Sequence, residues 1–408
     1  MNNLMTMEKP KNPIIIISLF LWLTICQAQG TEPNPNLNRG KIHAILTGRL
    51  TDAVKDSAWP GAVILASVDG HIIYRQAVGF HTYSKLHPTQ VNDIFDLASV
   101  TKVIATTSAV MKLYEKGYIK LDDPVATYLP AFRGKGKDMV TIRQLLTHTG
   151  GLPPFKQYFA MGSNAETRID SVLRTELEFT PGDTCVYSDV GLISLGKMIE
   201  AIVGKPLDAY VKDEFFDPLG MHSTFYTPGK QYLDRIVPTE INTITGETVH
   251  GYVHDENSHS MGGVTGHAGL FSTVDDLFVF STMMLQKGQF EGTRIFNPET
   301  IALFTSRANV VPDNSRCLGW DSPSGRASGG VYINDQAFGH TGFTGTSLWI
   351  DPENKIIVIL LTNAVHPNRS WKYPKYFQWR QRIHSTVYAA LGYKNQNPKL
   401  EWIKQWDD

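Results

Sequence analysis

Ala62-Val-Ile-Leu-Ala-Ser-Val68, Asp69-Gly70 and His71-Ile-Ile-Tyr-Arg-Gln-Ala-Val78 decide the fold class. Two β-prone runs joined by Asp-Gly read as an antiparallel hairpin, because both residues tolerate the positive φ that a tight, strand-matched turn needs. A second antiparallel pair stands near the other end, where Thr346–Ile350 and Lys355–Thr362 flank Asp351-Pro-Glu-Asn354. The two ends of the chain are therefore expected to share one sheet.

Helical periodicity dominates between them. Val103, Thr106, Val110, Leu113 and Tyr114 form a stripe that stops at Gly117, and Leu192, Leu195, Ile199 and Ile202 form one that stops at Gly204. Thr273 is placed to start a third helix, with Asp276 at its N3 position and an end before Gly288. Trp379, Ile383, Val387 and Leu391 recur every fourth residue after Pro374. Strands at both ends with helices between predict an α/β (α+β) chain: an antiparallel sheet built from both chain ends, covered by helices, with an inserted mainly helical lobe. The expected partition puts one domain over 29–408, its α/β lobe at about 40–112 and 290–400 and its helical lobe at about 113–289.

Composition narrows the function. The 408 residues carry 38 Lys+Arg against 39 Asp+Glu, and 42% are hydrophobic, which fits a large globular protein and excludes collagen-like, coiled-coil and disordered classes. No run of basic residues is longer than a pair, so the chain lacks the stripe that would draw it onto nucleic acid.

Lys9 and Lys11 precede an apolar run, Ile14–Cys26, and the small Ala28 follows. This reads as an export signal over 1–28, since about 13 apolar residues fall short of the ~20 that span a bilayer. The alternative is an uncleaved N-terminal anchor, the one route by which this chain would associate with a membrane. The mature protein is expected in the periplasm or secreted. Cleavage after Ala28 leaves Cys185 and Cys317 in an oxidising compartment, where their pairing stays open. Neither has Cys-x-x-Cys spacing, and two thiols alone make no zinc site, so no metal or organic cofactor is expected.

The segment that carries chemistry is Phe95-Asp-Leu-Ala-Ser99-Val-Thr-Lys102. Ser and Lys three apart share one helical face. A serine hydroxyl is a poor nucleophile unless a neighbouring base takes its proton, and a first-turn serine also aims its own N–H at the oxyanion formed on attack. Two later segments offer partners: Tyr187-Ser188-Asp189 presents a phenol and a carboxylate, and His340-Thr341-Gly342 precedes the C-terminal hairpin with a glycine that lets backbone approach a substrate.

Together with Leu145-Leu-Thr-His148-Thr-Gly-Gly-Leu152, Gly266-His-Ala-Gly-Leu-Phe-Ser272 and Phe338-Gly-His340-Thr-Gly-Phe-Thr-Gly345, these segments resemble the penicillin-recognising serine hydrolases. That family comprises DD-peptidases, class C β-lactamases and esterase relatives. The resemblance runs from about Ile42 to Leu391 and is strongest to the penicillin-binding protein 4B-like branch. It implies a β-lactamase-like fold, with Ser99 as acylated nucleophile, Lys102 as proton acceptor and Tyr187 as the proton shuttle to the leaving group. It implies an oxyanion hole from the backbone N–H groups of Ser99 and Phe343, and substrate binding by Asp189, His340, Thr341 and Gly342. His340 stands where the family usually has lysine, so it is expected to hold a substrate carboxylate only when protonated, weakening above pH ~6.5. Asp189 stands where Asn is usual; it can only accept hydrogen bonds, and its charge should favour the ammonium form of Lys102.

The resemblance implies an acyl-enzyme hydrolase of small amides or esters, most plausibly a D-alanyl-D-alanine peptide of the cell wall. A β-lactamase, a promiscuous carboxylesterase and a non-turnover binder of wall peptides or β-lactams are the alternatives. Other readings carry less. His250 and His254 have zinc-helix spacing but enclose Gly251, so a structural loop is expected. Glycines 262, 263, 266 and 269 read as a tight loop at the active-site wall, Glu166 as a surface carboxylate, and the aromatic group Trp371, Tyr373, Tyr376, Phe377 and Trp379 as core, with a substrate-binding rim as the alternative.

Overall fold

The computed structural model describes residues 38–403 apart from 244 and 326, so the expected signal segment lies outside the described residues. Helix α1 (Arg39–Lys55) comes first, capped by the Asn38 side chain on the Lys41 N–H. Strands β1 (Gly61–Val68) and β2 (His71–Gly79) follow, joined by Asp69 and Gly70 at φ 52° and 79°, the left-handed pair that the Asp-Gly dipeptide favours. Near the other end come β3 (Phe338–Thr341), β4 (Ser347–Asp351) and β5 (Ile356–Thr362).

The sheet order is β2-β1-β5-β4-β3, so the two ends of the chain do meet. The joining register runs antiparallel from Ala62 opposite Thr362 to Val68 opposite Ile356. Strands β1 and β5 are apolar at nearly every position because both faces are covered. Ala62, Ile64, Ile356, Val358 and Leu360 pack on one face with Leu46 and Leu50 of α1 and with Ile383 and Val387 of the C-terminal helix. Val63, Leu65, Ile357, Ile359 and Leu361 pack on the other, in the cluster that holds Leu277, Phe280 and Met284 of the helix Val274–Leu285.

The helices expected from periodicity form. The stripe ending at Gly117 is a π-helical stretch, Lys102–Thr107, that runs into α2 (Ser108–Glu115). Helix α3 (Asp189–Val203) ends on Gly204 at φ 70°. Helix α4 (Val274–Leu285) starts where Thr273 accepts from the Asp276 N–H at 3.2 Å. Helix α5 (Lys375–Ala390) follows Pro374. The sequence reading placed no element between Asn38 and Ala62, where α1 lies. Cys185 and Cys317 are unpaired; Cys317 is buried and donates to the Thr305 carbonyl. No helix among the described residues is long and apolar enough to cross a membrane.

Candidate active site

The Ser99 turn is held from several sides. Ala98, just before Ser99, adopts φ 46°, a left-handed conformation that a Cβ-bearing residue keeps only when its surroundings impose it. Asp96 imposes it: buried among apolar groups, its carboxylate accepts from the Ala98 N–H at 2.8 Å and the His254 N–H at 2.7 Å. Burial pushes the Asp96 carboxyl up from its usual range. Thr344 and Thr346, in the loop after β3, donate to the carbonyls of Asp96 and Leu97. The loop after β3 is thereby sewn directly to the Ser99 turn.

Ser99 is half-buried on a short 3₁₀ turn, with Lys102 at the start of the π-helical stretch beyond it. Lys102 is fully buried, and its ammonium donates to Ser99 Oγ at 2.9 Å and the His267 carbonyl at 3.0 Å. Asp189 Oδ1 lies 2.7 Å from Lys102 Nζ. Burial alone would pull the amine down, but Asp189 and the Tyr187 phenol, which hydrogen-bonds it, outweigh burial and raise it. Asp189, Asp255 and His267 bring ligand-type atoms within 4.8 Å of one another, yet the Lys102 ammonium beside Asp189 would repel a metal ion there.

Tyr187 is placed by the loop before α3. His148, itself at φ 57°, packs against its ring with centroids 4.5 Å apart and planes tilted by 40°, and accepts from the Ser188 N–H at 3.0 Å. The ring lies between two cations, Lys102 Nζ at 5.0 Å and Arg316 Cζ at 5.2 Å from its centroid. The glycine loop closes the wall behind: a Cβ on Gly266 would meet the Leu192 carbonyl at 2.1 Å, and the Gly266 carbonyl accepts from Thr106.

His340, Thr341, Gly342 and Phe343 line one cleft of about 330 Å³ together with Ser99 and Tyr187. Gly342 is required there, since a Cβ would fall 2.4 Å from the Leu97 carbonyl. The backbone N–H groups of Ser99 and Phe343 donate to no described residue. His340 corrects an expectation. It is buried, its Nδ1 faces the Thr341 carbonyl at 2.8 Å, and its Nε2 has no partner among the described residues. Burial, with the nearby Arg316 and Lys102 charges, holds the imidazole well below its usual value. A proton on the ring is therefore disfavoured, against the expectation that it holds a substrate carboxylate by titrating.

The cleft's positive charge comes instead from Arg316, Lys372 and Arg380, with Asp321 as its one carboxylate. None of the three was singled out by the sequence, although Lys372 stands inside the aromatic group noted there and Arg380 directly after it. Tyr373, Tyr376 and Phe377 form a rim to the cleft rather than pure core, whereas the Trp379 indole is occupied by Asp56 at 2.7 Å. His250 donates to loop carbonyls and His254 pairs with Glu240 at 3.0 Å, so the two do not converge, and Glu166 is exposed.

Comparison with known proteins agrees with this geometry. The Beta-lactamase family pattern matches residues 46–382. A protein of Salmonella paratyphi B named "Putative D-alanyl-D-alanine carboxypeptidase" is 36% identical over 364 residues, 80% of this chain and 83% of that one. One of the same name from Escherichia coli K12 is 34% identical over 386 residues, covering 83% and 88%. Among solved structures, a penicillin-binding protein homologue from Caulobacter crescentus superposes with a TM-score of 0.68 at 18% identity, over 89% of this chain and all of that one. EstCE1, a hydrolase with promiscuous acyltransferase activity, gives 0.67 at 22% identity over 86% and 99%. With the family pattern spanning most of the chain and both relatives above 30% identity, this protein belongs to the Beta-lactamase family, as a serine hydrolase of the β-lactamase and DD-peptidase type.

Proposed function

We propose that this protein is an exported D-alanyl-D-alanine carboxypeptidase-like enzyme, acylated at Ser99 by a small peptide whose terminal residue leaves as a free amine. The observation that carries this reading is the 2.9 Å contact between Lys102 Nζ and Ser99 Oγ at the floor of a cation-lined cleft. Ser99 Oγ bonds to the substrate carbonyl carbon as its proton leaves toward Lys102, in the fraction whose amine is free. The N–H groups of Ser99 and Phe343 take the oxyanion, worth roughly 10²–10³ in rate per donor. The C–N bond breaks, the amine receives the proton by way of the Tyr187 phenol, and water later releases the acyl group from Ser99. Export rests on the N-terminal pattern Lys9, Lys11 and Ile14–Cys26, and the periplasm is the compartment that holds such peptides. The two-lobed partition belongs to the same reading, with the cleft fed by the 95–102 and 338–343 segments on one side and 187–189 on the other.

Asp189 favours a second substrate class. Engaged with Lys102 and lacking a donor, it offers nothing to a substrate amide carbonyl, which suits a carboxylic ester better than a peptide. The deciding experiment incubates purified protein with a D-Ala-D-Ala peptide, a reporter penicillin and a chromogenic short-chain ester, reading product and intact mass. D-alanine release with a Ser99 adduct supports the peptidase; ester turnover alone supports the esterase; fast penicilloate formation supports a β-lactamase. A stable adduct without turnover supports the non-turnover binder. Undiminished activity in Ser99→Ala would remove the nucleophile assignment.

A further inference from the structure

Lys102 leads into a chain of mostly buried polar groups that the acylation steps leave unused. His267 is 1% exposed, and its backbone carbonyl accepts from Lys102 Nζ at 3.0 Å. Its ring is held at both nitrogens, Nε2 meeting Asp255 Oδ1 at 2.9 Å and Nδ1 meeting Thr265 Oγ1 at 2.9 Å. Burial pushes the Asp255 carboxyl up, but the His267 ring, the Ser258 N–H and the Lys102 charge outweigh burial and hold it well below its usual range. A ring nitrogen facing an ionised carboxylate donates to it, so Nε2 carries a proton. Glycines 266 and 269 flank this histidine, Gly269 at φ 116°, and a backbone of that kind has little stiffness of its own. The aim of the 267 carbonyl therefore depends on what pins the ring. Asp255 is itself fixed, because the same Oδ1 accepts from the Ser258 N–H at 2.7 Å. Its neighbour His254 supplies one of the N–H groups that Asp96 accepts while shaping the Ser99 turn. Residues 254 and 255 thus brace both members of the Ser99–Lys102 pair, one through Asp96 and the other through His267.

We propose that Asp255 and His267 are positioning residues for Lys102: the carboxylate fixes the imidazole, and the imidazole fixes the carbonyl that holds the Lys102 amine against Ser99 Oγ. The proposal deepens the acyl-enzyme reading above and rests on it. Without that carbonyl, Asp189 at 2.7 Å draws the amine toward its own side and away from the hydroxyl 2.9 Å distant. An amine displaced by about an ångström loses its geometry for proton transfer, which is worth up to roughly a hundredfold in rate. The other titratable groups facing Lys102 are Tyr187 and Asp189, with His148 against the Tyr187 ring and His340 on the strand edge. All four stay in place in the variants that test the proposal.

The test reads Ser99 reactivity with a fluorophosphonate, which labels an activated serine whatever the natural substrate, followed by intact mass, alongside kcat and KM on a chromogenic short-chain ester. Asp255→Ala and His267→Ala are each expected to slow labelling about tenfold to a hundredfold per folded molecule, and to lower ester kcat while KM stays within about twofold. Asp255→Asn keeps an oxygen that accepts from the imidazole, and it recovers most of the lost rate. Asp255→Ala combined with His267→Ala is no slower than the slower single variant, because the two residues act as one unit. Unslowed labelling in either alanine variant, a loss confined to KM, an Asp255→Asn variant as slow as Asp255→Ala, or losses that multiply in the double variant overturn the proposal. Should the alanine variants fail to fold, His267→Gln, whose amide reaches Asp255, is compared with the shorter His267→Asn: the first is expected to be faster, and equal rates overturn the proposal. Unaltered protein that takes no label at Ser99 removes the acyl-enzyme reading itself, whereas labelled unaltered protein with unslowed variants removes only the positioning role.

Discussion

Lys102 Nζ lies 2.7 Å from Asp189 Oδ1 and 2.9 Å from Ser99 Oγ, and on the acyl-enzyme reading proposed above this pair sets how readily Ser99 loses its proton. A lysine serves as a base only as the free amine, and a carboxylate at contact distance works against that form. On that reading Asp189 restrains the proposed base, while holding its ammonium within reach of Ser99.

Replacing Asp189 with Asn removes the charge and keeps the shape. The Lys102 amine then falls, because burial is left with a weaker opponent. The rising limb of the pH profile of kcat/KM moves to lower pH, with a gain of about severalfold at neutral pH for a neutral ester. Amide substrates gain more, since Asn can donate to their carbonyl. Stopped-flow acylation across pH with matched ester and amide checks this; an unmoved limb, or equal changes on both substrates, contradicts it.

His340 is expected to keep one protonation state through the working range. Burial and the Arg316 and Lys102 charges favour the neutral ring, so a proton is gained only well below the usual imidazole value. Ring NMR resonances, assigned with His340→Gln, are expected to stay fixed between about pH 8 and 5.5. A sigmoidal shift centred near the unperturbed histidine value would show the ring to be solvated instead.

Gly342→Ala puts a methyl against the Leu97 carbonyl and Thr346 Oγ1, at 2.4 and 2.1 Å in the unrelaxed structure. Overpacking of this kind costs about 1–3 kcal/mol. The larger effect is on rate, because the strand that carries the Phe343 N–H must retreat from Ser99: acylation is expected to fall by roughly 10²-fold or more. Thermal unfolding and acylation rate measured together separate the two effects, and a variant with lower stability but full acylation speed would place the oxyanion donor elsewhere.

The sheet was legible because its evidence is local and repeated. Ala62–Val68 and Ile356–Thr362 are apolar at nearly every position, and Asp69-Gly70 fixes the turn between strands. Helix ends were legible where one residue type answers one need: Thr273 as a cap, Gly204 in the left-handed conformation. Helix α1 was readable in principle from Ile42, Leu46 and Leu50 at spacings of four, but its polar face is short of contrast and the Pro/Asn-rich stretch before it draws the eye to a loop.

At the site, Ser99, Lys102, Tyr187 and His340 stand out in the linear chain because each sits in a short motif whose spacing is itself the chemistry. Which of them are charged is another matter. The neutrality of His340, the restraint of Lys102 by Asp189, and the arrival of Arg316, Lys372 and Arg380 in one cleft come from distances between segments far apart in sequence. Backbone propensity and hydrophobic periodicity are properties of neighbours along the chain, so they are written in its order. Desolvation and Coulomb forces depend on who becomes a neighbour in space, and only folding decides that.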